Sequence, residues 1–340
     1  MAAAGGGRYV GFDIGSYSIK AVEVTGKADK LSLSGIYMMP TPDDTINDGD
    51  IVSYGELSEH IVKVYSSGGF VSKSVAVAVK GRDTFAKSVT IPYVNQDQLN
   101  MNLHFMAEQY MCIEMEEYAV DYQVLNLNKT NATAHVLFAA TRNSTIADYM
   151  GIFKDAQLEL RAVDVEVIAL ANLYSYMQLS ANDTTMIMHI GKDTVYYIFM
   201  DRGLFSYYEI GSSGGDLLSN VLIEKGNVAE DALEVVKAGL ENNPDMLNVM
   251  TEDYFPSLMD EMELAINHYM LLGGRPPEKV YLSGGGASMG GLRPAVQAKF
   301  SVASTVMNPS SHINIVNPTA AQIIEQNPGI LNVAIAMALR

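Results

Sequence analysis

Two stretches of the chain alternate apolar and polar positions in the same order. Phe12 to Val24 reads FDIGSYSIKAVEV, and Met188 to Met200 reads MHIGKDTVYYIFM. With Asp13 set over His189, Ile14 falls on Ile190, Gly15 on Gly191, Ser18 on Thr194 and Ile19 on Val195. Each stretch opens with a β-rich run (YVGFDI, TTMIMHI), turns at a glycine, and is followed by another apolar run (LSLSGIYM, LFSYYEI) across a polar turn (TGKADK, DRG). Short apolar runs bounded by glycine and charge predict strands. Each half of the chain therefore begins with a predicted three-stranded meander.

Helical spacing follows both meanders. SYGELSEHIVKVYSS places Leu57, Ile61, Val62 and Tyr65 on one predicted face. SVAVAVK then reads as a buried strand. Behind the second meander come three predicted helices: GGDLLSNVLIEK, VAEDALEVVKAGL and YFPSLMDEMELAINHYMLLG. KVYLSGGGA reads as a strand running into a glycine-rich turn, with a helix from about Met289. GILNVAIAMALR closes the chain as an apolar helix.

Between the halves lies material without a counterpart in the repeat. TFAKSVTIPYV predicts a strand ending at Pro92, NQDQLNMNLHFMAEQYM a helix, EYAVDYQVLNL and ATAHVLFAATR paired strands, and STIADYMGIFKDA a helix. ELRAVDVEVIALANLYSYM supplies a strand, an acidic turn and a helix that rejoin the first half. The expected organisation is a flexible tail over 1–7, a first lobe over 8–82 and 159–182, an α+β insertion over 83–158 and a second lobe over 183–328. The closing helix 329–340 is expected to return to the first lobe.

Composition narrows the function classes. A chain of 340 residues exceeds what one core usually takes, and 48% apolar with 18% charged content suits a folded protein. The net charge of −17 argues against a general nucleic-acid binder. No apolar run approaches the length of a membrane span, and 1–7 lacks the features of a signal peptide. Cys112 is the single cysteine, so no intrachain disulfide forms, which is compatible with the cytoplasm. Within EQYMCIEME it reads as a buried structural thiol.

Five segments carry candidate chemistry. In DIGSYSIK, Gly15 lets the backbone approach an anion, Ser16 and Ser18 add hydroxyls, and Lys20 points to phosphate or to solvent. An ordinary polar hairpin would read the same way. In LSGGGASMGGL, Gly284, Gly285, Gly286 and Ala287 leave room for a flat group to pass the backbone; a flexible loop is the plainer reading. Asp164 and Glu166 in VDVEVIALANL lie at a strand end where a carboxylate reaches a metal-bound water, or Asp164 caps the next helix. Gly214 and Gly215 open a helix whose N-terminus suits an anion, or form a plain turn. Glu234 and Lys237 share a helix face, where a solvent-exposed ion pair is the better local reading.

Taken in order, Asp13–Lys20, the acidic turn at Asp164, His189–Thr194 and the glycine loop resemble the nucleotide cleft of the actin-like ATPase fold, an α/β architecture of two related lobes. YVGFDIGSYSIKAVEV, AEQYMCIEMEEYAVDYQVL, LRAVDVEVIALANL, YLSGGGASMGGL and NVAIAMALR resemble the PilM family of type IV pilus assembly, with an inserted subdomain of the kind FtsA and PilM carry. Met111–Cys112 departs from the Ile-Pro usual there. FtsA normally ends in a linker and an amphipathic helix, which are not expected after Arg340 here.

The resemblance implies a cytoplasmic ATP- and Mg²⁺-binding scaffold, peripheral at the inner face of the cytoplasmic membrane, with at most slow hydrolysis and no membrane insertion of its own. Nucleotide contacts would come from Asp13, Gly15, Ser16, Ser18, Lys20, Gly191, Thr194, Gly214, Gly215, Glu234, Lys237 and Gly284 to Ala287. Asp13 and Asp164 would hold the hydrated metal. His189 stands where the family normally has the second Asp, and imidazole is a poor ligand for Mg²⁺. Partners implied are the N-terminal tail of a PilN-like membrane protein, pilus motor ATPases, the platform protein and further copies of the chain. The tail would lie by Phe85, Ser88, Ile91 and Pro92 and the helix after them. The main alternative is an FtsA-like filament-forming homologue with slow ATPase activity. A sugar kinase would need a carboxylate base, for which Asp164 is the obvious candidate. A degenerate fold without nucleotide is opposed by the intact glycine loop and DIGSYSIK.

Overall fold

The elements follow the predicted order closely. A computed structural model describes residues 9–27, 30–47, 49–93 and 95–340. The expected tail over 1–7 lies outside them, as do Ala28 and Asp29 of the first polar turn. The chain divides into two units: Met1–Leu173 with Leu204–Tyr207 and Val333–Arg340, and Tyr174–Gly203 with Tyr208–Asn332.

The first unit opens with β1 (Val10–Ile14), β2 (Ser18–Lys27) and β3 (Lys30–Pro40). A small hairpin, β4 (Ile46–Asn47) and β5 (Asp50–Ile51), precedes α1 (Tyr54–Ser67) and β6 (Ser74–Val79). Next come β7 (Thr84–Pro92), α2 (Gln96–Met111), β8 (Tyr118–Asn128), β9 (Thr133–Arg142) and α3 (Asn143–Asp155). Then β10 (Glu159–Val165) runs directly into α4 (Glu166–Tyr176), with no turn between Asp164 and the helix. The main sheet of this unit runs β10-β6-β1-β2-β3, and β10, at its edge, is parallel to β6 and β6 to β1. A parallel centre must be covered on both faces, which is why β1 and β6 read as near-continuous apolar runs.

One face packs Phe12 and Ile14 against Leu57, Ile61 and Val64 of α1 and Tyr149, Ile152 and Phe153 of α3. The expected α1 face needs correction: Val62 is 42% exposed, and Val64 is buried instead. Positions 57, 61 and 64 follow one stripe of the helix, while 62 is a hundred degrees on from 61. The other face meets the closing helix, which lies in this unit from Val333 on. A methyl on Gly11 would stand 2.1 Å from the Ala334 carbonyl oxygen, so backbone lies on backbone there.

The inserted strands form a separate antiparallel sheet, β7-β9-β8. Ile91, Val136, Phe138 and Ala140 make its core with Leu99 and Ala107 of α2. Asn95 starts α2 by accepting the Gln98 N–H at 2.9 Å. Cys112 ends that helix in the left-handed region (φ 57°) and is exposed, against the expected buried thiol. A residue turning the chain out of a surface helix has no core to enter.

The second unit repeats the frame. β11 (Thr184–Ile190) is buried throughout, antiparallel to β12 (Val195–Asp201), with β13 (Leu204–Gly211) beyond. Helices α5 (Gly215–Glu224), α6 (Leu233–Ala238), α7 (Pro244–Val249) and α8 (Phe255–Leu271) follow. The second predicted helix is broken into α6 flanked by 3₁₀ turns, and α7 was not foreseen. Its start is a local signal, Asn243 accepting the Met246 N–H with Pro244 behind it. β14 (Lys279–Gly284) is parallel to β11, and α9 (Leu292–Phe300) begins later than Met289, after a 3₁₀ turn over Gly285–Ser288. β15 (Ala303–Val306), β16 (Asn314–Ile315) and α10 (Pro318–Gln326) lead to α11 (Asn332–Ala338). The sheet order is β13-β12-β11-β14-β15.

Candidate functional site

The repeat read from the sequence holds at the level of single hydrogen bonds. In the first hairpin Asp13 pairs with Lys20 and Ile14 with Ile19; in the second His189 pairs with Tyr196 and Ile190 with Val195. The Gly15 N–H donates to Ser18 O at 3.2 Å, and the Gly191 N–H to Thr194 O at 2.9 Å. Each hairpin's first strand also has a parallel neighbour, which sets Asp13 beside Ala78 and His189 beside Ser283.

In the first unit the parallel strands β1, β6 and β10 end at one edge, where ligands of open α/β sheets bind. Register places Lys20, Asp13, Ala78 and Asp164 in one row across four strands. Lys20 Nζ lies 2.9 Å from Asp13 Oδ2, and both residues are buried. Lys20 thus turns to its neighbour's carboxylate rather than to solvent. Ser18 is buried, Ser16 half-buried and Tyr17 exposed at the tip. Thr41 clamps the turn: its N–H donates to Tyr17 O and its hydroxyl to Gly15 O.

The acidic pair of β10 and α4 splits. Asp164 Oδ1 accepts the Val165 N–H at 2.9 Å, and the Arg340 guanidinium stands 2.8 Å from Oδ2, without the alignment of a good hydrogen bond. Burial pushes this carboxyl up to about 6 despite the opposing pull of Arg340. Glu166 is buried and lies 3.2 Å from Lys80 Nζ. Lys80 and Thr41 were missed from the sequence. The available signal for Lys80 was its place, one residue beyond a buried parallel strand.

In the second unit the predicted residues gather around the backbone of Ile190–Lys192. Gly215 N–H donates to Gly191 O and Asp216 N–H to Lys192 O, both at 2.9 Å. These first-turn donors of α5 are thus already satisfied. Gly214 is there for close approach, since a methyl would stand 2.4 Å from Lys192 O. The glycine loop divides similarly. Gly284 has φ +85° and its methyl would meet Ile190 O at 2.4 Å; one on Gly286 would meet Ile190 Cγ2 at 2.5 Å; Gly285 has nothing within 4 Å. Two glycines are required by packing, and one opens space. The side chain of Ala287 is buried. Asn327, also missed, ties the loop down by donating to Gly285 O at 2.8 Å and accepting from Ser288 and from the Gly329 N–H.

His189 lies in a buried polar line. Its Nδ1 is 3.1 Å from Ser283 Oγ, which accepts from Asn332 Nδ2 at 3.0 Å; that amide also donates to Met307 O. Glu234 and Lys237 form an ion pair at 3.0 Å on α6, the carboxylate 60% exposed. Of the predicted partner strand, Phe85 packs its ring 5.9 Å from Tyr118, Ser88 bonds His135, Ile91 is fully buried and Pro92 is exposed.

A directly ligated metal does not fit this donor set. Asp13 and Asp164 carry Lys20 and Arg340, His189 is engaged with Ser283, and no group of three metal-ligating side chains occurs among the described residues. What the first unit offers is the Gly15 turn beside the buried Lys20 and the half-buried Lys80, two cations suited to an anion.

A model of the family described as type IV pilus assembly protein PilM matches residues 11–340, nearly the whole chain. The chain belongs to the PilM family. Among solved structures, a PilM-PilN type IV pilus biogenesis complex is similar at a TM-score of 0.85 with 19% identity, covering 99% of each chain. The ethanolamine utilization protein EutJ from Carboxydothermus hydrogenoformans is similar at 0.59 with 15% identity, covering 98% of this chain and 89% of that one. The PilM-family fold here is the actin-like one, with two related sheet-centred units. Among the described residues, no helix is long and apolar enough to cross a membrane.

Proposed function

We propose that the chain is a nucleotide-binding scaffold of type IV pilus assembly that holds the tail of a PilN-like membrane protein and couples it to the pilus motors and platform protein. The observation that carries this is the family match over residues 11–340. The similarity to a PilM chain solved in complex with PilN supports the partner. That partner would hold the scaffold at the inner face of the cytoplasmic membrane.

The tail is assigned to the inserted sheet and α2. β7 is an edge strand of that sheet, and edge strands accept extended peptides through their backbone. Beside it α2 exposes Met101 (80%) and Phe105 (67%), one turn apart. The nucleotide is ATP, with Mg²⁺ carried by its phosphates to offset their charge, and the Gly15 turn takes the phosphate end.

The test is fluorescence anisotropy with a labelled N-terminal peptide of a PilN-like protein. The intact chain is expected to bind it and to refuse a scrambled peptide. Met101→Ser with Phe105→Ser should weaken binding at least tenfold without lowering the melting temperature, because both side chains are exposed. Equal binding by the double variant would remove the tail from α2; no binding by the intact chain would remove the scaffold reading.

A further inference from the structure

No motif singled out Lys80 of the first unit. It stands one residue past β6, between the ends of β1 and β10, the two strands that flank β6 in parallel. Its aliphatic stem is fixed from above by the β4–β5 hairpin: a methyl on Gly49 would stand 2.7 Å from Lys80 Cγ. Its ammonium reaches Glu166 at 3.2 Å and lies 3.7 Å from where a methyl on Gly15 would be. The side chains of the pair are 17% and 3% exposed. The lysine is thus covered along its stem, and its head stands beside Gly15 at the start of the turn.

We propose that Lys80 is a second phosphate-binding lysine of the first unit, positioned by Glu166 and contacting the phosphate chain of a nucleotide held in the Gly15 turn. This rests on the nucleotide reading above and adds a residue to it. Lys20 and Lys80 each stand beside a buried carboxylate, Asp13 and Glu166. An ammonium has three donors, so contact with a phosphate oxygen is compatible with Lys80 keeping Glu166. Glu166 then fixes the direction of the cation. The simpler role, an ion pair that only ties β6 to α4, uses the same atoms and must be separated by experiment.

Calorimetric titration of ATP and of AMP, each with Mg²⁺, into the full chain makes that separation. Lys80→Met keeps the stem under Gly49 and removes the charge. Because it removes the ammonium 3.2 Å from the buried Glu166 carboxylate, Lys80→Met with Glu166→Gln is the companion variant. ATP affinity is expected to fall about tenfold or more in both, the factor of one charge-assisted hydrogen bond, with AMP changed less than about threefold. Equal loss for ATP and AMP, or no loss in the folded double variant, would make the pair structural and overturn the proposal. If the unaltered chain binds neither nucleotide, the nucleotide reading itself falls and takes this inference with it.

Discussion

The two hairpins share a backbone and differ in charge. Across the first sheet the row is Lys20, Asp13, Ala78 and Asp164; across the second it is Tyr196, His189 and Ser283. The first row holds a buried ion pair and a second carboxylate paired with Arg340. The second holds a neutral hydrogen-bonded line that runs to Asn332. Duplicating a frame therefore does not duplicate its chemistry. The turn geometry is kept by backbone bonds, which any small residue satisfies, while the row beside it is free to be polar or charged.

The largest test of this contrast removes one charge. Lys20→Met would leave Asp13 buried without its cation and should destabilise the chain by about 3–5 kcal/mol. Adding Asp13→Asn should recover most of it. The matching change in the second hairpin, Tyr196→Phe, should cost about 1 kcal/mol or less. Similar losses in a urea melt at both places would show that the rows do not differ as described.

Next in size is the glycine loop. Gly284→Ala should cost about 2–4 kcal/mol from its left-handed backbone and the collision with Ile190. Gly285→Ala should stay within about 0.5 kcal/mol, as it meets open space.

Asp164 provides a pH signature confined to the first row. Its folded pKa, about 6, lies above the unfolded value. Between roughly pH 4 and 6 the folded chain holds a proton that the unfolded chain releases. The stability from this group is full below the unfolded value and is lost as pH rises through 6, at most about 3 kcal/mol. Denaturant midpoints from pH 4 to 7 should lose that slope in Asp164→Asn. An unchanged slope would place the titration elsewhere.

The last change concerns His189→Asp. The imidazole sits 8% exposed on Ser283, so a carboxylate there should destabilise the second unit by about 1–3 kcal/mol, with or without Mg-ATP. A gain in Mg²⁺-dependent binding or in ATP turnover would restore His189 as a weakened metal position.

Much of this frame was legible in the sequence. The repeat of 12–24 in 188–200 predicted both meanders and their matched registers, because strand alternation and a glycine turn are local signals. The insertion's strands and α2 were legible for the same reason. Lys80 was not, since a lysine after an apolar strand reads as a solvent charge until Glu166, far along the chain, is brought beside it. Nor was the split of the glycine loop, because only the position of Ile190 shows which glycines are required. Val62 and Val64 were exchanged by a periodicity that Ile61 and two valines one residue apart leave underdetermined. α7 and α10 begin at Asn-Pro signals that were present and passed over.

The central claim is that phosphate recognition belongs to the charged row of the first unit. The most direct measurement is calorimetric titration of Mg-ATP into three folded proteins: the unaltered chain, Asp13→Asn with Lys20→Met, and His189→Gln with Tyr196→Phe. The charged-row variant should bind at least about tenfold more weakly, the loss of one charge-assisted contact, and the neutral-row variant should stay within about threefold. A larger loss in the neutral-row variant, with the charged-row variant unaffected, would contradict the account.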